Sequence, residues 1–220
     1  MVGFERLHPH GLLPASAHLE WPFLTDEHRH LAQALHAWLA RADADARPDW
    51  ASGLRAAGWP SLAADVRGRA VLAEALAAHG VAATPAAQAL FAPAARLGQA
   101  RRIARAWRLA LIGQGTGSEP RVLKRLGRLE AALDASALGV YRAAWQLDRS
   151  ANDHAIDETV IRLADLMVDT LLVDLLDHLN ALPVPGHEAW RHEVLAISDT
   201  SGHGAGDAAE RVGRWRLQHP

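Results

Sequence analysis

Two long stretches, residues 121–148 and 157–182, contain no proline and carry apolar side chains every third or fourth position. In the first, Leu126, Leu129, Leu133, Ala137, Val140, Ala144 and Leu147 fall on one stripe. In the second, Val160, Leu163, Met167, Leu171, Leu175, Leu179 and Leu182 do the same, and Leu166, Leu172 and Leu176 widen the face. This period is that of an α-helix, and a face so broad suits a helix packed on several neighbours in a bundle or an oligomer interface. Alternating β-branched runs are scarce throughout, and aromatic residues make up only 5% of the chain. The expected fold class is therefore all-α. With 220 residues, half of them hydrophobic, the chain is long enough to bury a proper core.

Turn and cap residues divide the chain. Residues 1–22 hold Gly3, Pro9, Gly11, Pro14 and Pro22 without any period and read as an irregular arm. Thr25 then offers an N-cap, followed by Asp26 and Glu27 where the helix dipole favours anions, and a helix runs to about Arg41. A short helix from Pro48 to Gly58 and a third over 69–79, closed by Gly80, follow. Pro85 restarts the chain, and 86–112 reads as one long helix or as two with a break near Gly98. The stretch GQGTGSEP, 113–120, cannot sustain a helix and marks the boundary between a helical subdomain over 23–112 and a bundle subdomain over 121–220. It lacks the GK[ST] ending of a phosphate loop, and no strand precedes it. Pro183 and Pro185 end the second long helix; a short helix near 188–197, a loop SDTSGHGAGD and a last helix over about 208–217 complete the chain.

Charge and composition exclude several functions. A net charge of −2 gives no basic surface for nucleic acid or an anionic membrane. The absence of cysteine removes disulfides, thiolate metal sites and a cysteine nucleophile. Neither a membrane span nor a signal peptide is read from the apolar runs, so a cytoplasmic location is expected. Eight tryptophans, and Lys124 as the one lysine among 23 basic residues, fit the coding bias of a GC-rich genome better than a binding site.

Thirteen histidines call for a metal test. A di-iron bundle needs two inward Glu-x-x-His pairs on facing helices, and Glu27 with His30 has that spacing but sits at a helix start; no metal is expected. Asp165, Asp169, Asp174 and His178 form a polar stripe on the second long helix. Asp174 and His178 lie one turn apart, the spacing of an acid–base pair or of a wet salt-bridge row. Ser198, Asp199, Ser201 and His203 crowd one loop, but a triad is built in space rather than in sequence.

The segments LTDEHRHLAQALHAWLA and WASGLRAAGWPSLAADVRGRAVLAEALAAHGVAATP resemble the N-terminal helical domain of the acyl-CoA dehydrogenases. ALFAPAARLGQARRIARAWRLALIGQG is similar to the next part of that domain, and SEPRVLKRLGRLEAALDASALGVYRAAWQLDRS to the first long helix of the family's C-terminal bundle. The tail WRHEVLAISDTSGHGAGDAAERVGRWRL resembles the family's closing pattern, so the likeness spans most of residues 20–217. It implies a helical N-terminal subdomain joined to an up-and-down bundle, with the linker 113–120 in place of the family's middle β-domain, which walls the flavin. Residues 86–112 match either half of the family's helical scaffold. The family's catalytic glutamate falls at Ser198, with Asp199 beside it, and its flavin-contacting element keeps only glycines here.

The resemblance implies FAD, held weakly or shared with a partner, and an acyl thioester as substrate. It implies a homodimer or a hetero-oligomer with a larger acyl-CoA dehydrogenase chain. Three functions follow as expectations: a degenerate subunit beside a flavin-bearing chain; a flavin-dependent dehydrogenase using Asp199 as base; or a flavin-free protein using Asp174 and His178 for acid–base work or binding.

Overall fold

The computed structural model describes residues 21–43, 53–54, 56–59, 63–80, 85–150 and 154–199. Among these are six helices and no strand: α1 Asp26–Asp43, α2 Val66–Ala78, α3 Pro85–Gly113, α4 Pro120–Arg149, α5 His154–Ala181 and α6 His187–Asp199. The all-α class expected from the periodicity is what the chain adopts. The arm before residue 21 and the helix expected over 208–217 lie outside the described residues.

α2 is the centre of the fold. Nearly every residue from Gly68 to Ala77 is buried, the pattern of a helix covered on all sides. Its sequence allows this because alanines and one glycine let neighbours approach. Asp65 caps its start by accepting from the Gly68 N–H at 2.7 Å, and Gly80, at φ 78°, ends it where only glycine adopts the left-handed turn without cost. α1 lies on one side, where Leu35 and Leu39 meet Leu72, Leu76 and Trp59 in a small second cluster. The main cluster draws on α2 through α6 together, so both halves of the chain share one core.

α3 is bent at Phe91, whose φ of −165° and ψ of 97° leave the helical region. Pro93, two residues on, has no N–H to give to the preceding turn, and this accounts for the bend there rather than near Gly98. Gly98 instead sits in unbroken helix against α2. A β-carbon there would collide with the Glu74 carbonyl oxygen and come within 2.7 Å of Ala77 Cβ. The glycine is a packing requirement, not a hinge.

Contacts fix the direction of the bundle. Arg108 on α3 meets Glu130 on α4 at 2.8 Å, while Arg101 reaches back toward Asp134 further along, so α3 and α4 run antiparallel. Arg125 pairs with Asp177 at 3.1 Å and Ser136 donates to the Met167 carbonyl at 3.2 Å, so α4 and α5 do the same. The buried line of α5 is Ala164, Val168, Leu171, Leu172, Leu175 and Leu179. Leu163, expected on the core stripe, is 44% exposed. Periodicity places a stripe but not its edges, which depend on where neighbouring helices end.

Replacing Gly98 with alanine forces α2 and α3 apart and should cost about 1–3 kcal/mol. Valine at the same position should cost more, and the urea midpoint of unfolding measures both.

Candidate functional site

The candidate acid–base pair of α5 lies where α3, α4 and α5 converge. His178 is 7% exposed, under the ring of Trp107 at a centroid distance of 6.0 Å. Trp107 is itself held by an indole N–H donated to the Leu182 carbonyl at 3.1 Å. Arg125 donates to His178 Nδ1 at 3.3 Å and to Asp177 at 3.1 Å. Arginine has no acceptor, so this bond occupies the lone pair of Nδ1 and places the imidazole proton on Nε2. Burial pushes the His178 pKa down, and the Arg125 charge adds to this, against the opposing carboxylates of Asp177 and Asp174. The ring is therefore a neutral hydrogen-bond acceptor tying α5 to α4.

Asp174 is exposed and makes no hydrogen bond to His178 among the described residues. The structure brings the pair within electrostatic reach but does not join it in the way a carboxylate orients a catalytic base. The rest of the polar stripe divides. Asp169 is buried and, with the half-buried Asp165, holds the guanidinium of Arg96 on α3.

The positions carried over from the family lie on the last turns of α6. Helix continues through Asp199, so Ser198 and Asp199 are not the start of a loop as the sequence suggested. Ser198 is 2% exposed and its hydroxyl donates to the Val194 carbonyl one turn back at 3.0 Å, an arrangement that a helix tolerates. Asp199 is exposed. Ser201 and His203 lie outside the described residues. Glu27 and His30 are both exposed on the first turn of α1, and among the described residues no group of three or more His, Asp or Glu is placed to hold a metal ion.

Two clusters, one buried and one partly buried, escaped the sequence reading. Glu74, 5% exposed on α2, accepts from the Tyr141 hydroxyl of α4 at 2.5 Å and pairs with Arg101 of α3 at 2.8 Å. Burial, with the Glu74 charge beside it, pushes the Tyr141 pKa well up, so this hydroxyl stays a donor. The available signal was Glu74 itself, the one charge within the apolar run AVLAEALAAH. At the other end of α2, Thr25 Oγ1 lies 2.7 Å from His28 Nδ1, and His28 Nε2 lies 3.0 Å from Asp65. Burial raises the Asp65 pKa, but the Gly68 N–H, His28 and Arg67 together hold it below the ordinary carboxylate value. Thr25 also gives its backbone N–H to the same His28 nitrogen at 3.1 Å, so the cluster is a cap that fastens α1 to α2.

No family model matches this sequence, and neither a curated protein nor a solved structure matches it.

Because the fold depresses the His178 pKa, its contribution to stability is complete above the ordinary value of 6.5 and is lost as pH falls below it. Urea unfolding at pH 7.5 and 5.5 should show a smaller acid loss for His178→Gln than for the native chain. Tyr141→Phe leaves a Glu74 oxygen buried without its donor and should cost about 1–3 kcal/mol, read from the same titrations.

Proposed function

We propose that this chain is a helical subunit of the acyl-CoA dehydrogenase type, working beside a longer flavin-bearing chain rather than oxidising an acyl thioester alone. The reading rests on the residues quoted above for that resemblance and on the connection between α3 and α4. Where the family places its flavin-walling domain, a turn over 114–119 passes directly from one helix to the next. Four of its N–H groups are already bonded: Gln114 to Ala110, Gly115 to Ile112, Thr116 to Leu111 and Glu119 to Thr116. The Thr116 hydroxyl also bonds the Leu111 carbonyl. A flavin pyrophosphate needs N–H groups turned toward it, and these residues do not fit that group.

The base position supports the same reading. The family glutamate removes an α-proton, and its counterpart Ser198 is buried with its proton given to a main-chain carbonyl. Asp199 is one methylene shorter than glutamate and faces solvent from the end of α6. A displacement of about 1 Å at a reacting group costs on the order of a hundredfold in rate. A dehydrogenase using Asp199, and a flavin-free enzyme using Asp174 with His178, are therefore the weaker readings.

Affinity capture with this chain as bait, followed by an absorbance spectrum, tests the proposal. The bait purified alone should be colourless. The captured complex should contain a longer chain, a flavin spectrum and acyl-CoA dehydrogenase activity that falls when the subunit is removed. A near-stoichiometric flavin peak on the isolated chain, or activity of that chain abolished by Asp199→Ala, would overturn it.

A further inference from the structure

A concavity of about 440 Å³ opens between the C-terminal half of α4 and the N-terminal half of α5. The small Ala143 lines it on α4, Met167 packs directly onto Gly139 at its floor, and Leu163 on α5 stands half in solvent beside it. Phe23 and Trp145, with ring centroids 6.0 Å apart, close one wall. The lining is otherwise apolar, apart from Arg142 and Gln146.

Among the described residues, the unmatched charge at this groove is positive. Arg142 is exposed and has no ion pair among the described residues. The neighbouring acids are already matched, Asp148 to Arg67 at 2.6 Å and Asp165 to Arg96 at 3.2 Å. Arg149, two turns beyond Arg142, lies over the Trp145 ring at 4.9 Å and adds further positive charge. An occupant with an apolar body therefore meets cations at the rim and no free carboxylate from these neighbours.

We propose that this groove binds a free aliphatic carboxylate, its chain lying between α4 and α5 and its head group on Arg142. The size decides against a partner helix. A helix with its side chains is about 10–12 Å across and does not enter such a space, whereas a single alkyl chain does; six residues of α4 between Leu138 and Gln146 line it, with Arg142 midway along them. The volume lies in the range of small-ligand sites, about 300–1,000 Å³. Met167 is unbranched and adjusts to chains of different length. The site does not depend on any flavin-bearing partner.

Calorimetric titration of the full chain with dodecanoate below its micellar concentration tests this. One saturable site is expected, with affinity falling about threefold for each methylene removed on going to decanoate and octanoate. Arg142→Gln should weaken binding roughly tenfold while Arg142→Lys retains most of it, and dodecyltrimethylammonium should not bind. Leu163→Asp should abolish binding. Both substituted positions are exposed, so the thermal unfolding curve should be unchanged; if Leu163→Asp disturbs the fold, Arg142→Gln and the cationic analogue decide the matter. No saturable binding, equal binding of the cationic analogue, or indifference to Arg142→Gln overturns the proposal. So does a native dimer that Leu163→Asp converts to monomer, because a second copy then covers the groove.

Discussion

The approach of α3 onto α2 is the contact on which the rest of the fold depends. Gly98 lets the two backbones come together at Glu74 and Ala77, and the alanines of α2 extend that closeness along the helix. A helix so covered cannot leave a charge unpaired, because an isolated ion away from water costs far more than a hydrogen bond returns. Glu74 is accordingly bound from two directions, by Arg101 of α3 and Tyr141 of α4. One carboxylate thus fixes the relative position of three helices.

Other buried charges do the same across the chain. Asp148 of α4 accepts from the first N–H groups of α2 and from Arg67, joining the start of one helix to the end of another. Arg96 ties the bent α3 to α5 through Asp169 and Asp165. These pairs link residues before the 114–119 turn with residues after it, and the apolar core is likewise continuous across it. Breaking one partner of such a pair is costly even where the pair itself adds little net stability.

This use of polar residues bears on function. The side chains that sequence spacing suggested for chemistry are largely engaged in holding helices: His178 by Arg125, Ser198 by its own helix, Asp165 and Asp169 by Arg96. Among the described residues, the groove between α4 and α5, with Arg142 at its edge, is an open feature not used in this way. The proposed carboxylate site rests on this division between engaged and unengaged groups. Among the described residues, no helix is long and apolar enough to cross a membrane.

The sequence by itself determined the helices and most of their ends. Leucine and alanine spacing placed α4 and α5 to within a few residues, Gly80 closed α2, and the glycine-rich stretch marked the α3–α4 turn, because these signals are local and act within one or two turns of chain. Tertiary structure alone decided that Gly98 is a packing site against α2 and that Leu163 faces solvent. It also decided which of the charges in one helical stripe are buried. The physical reason is common to all of these: a residue's partner across the core lies tens of positions away, and spacing along one helix carries no information about what another helix brings to meet it.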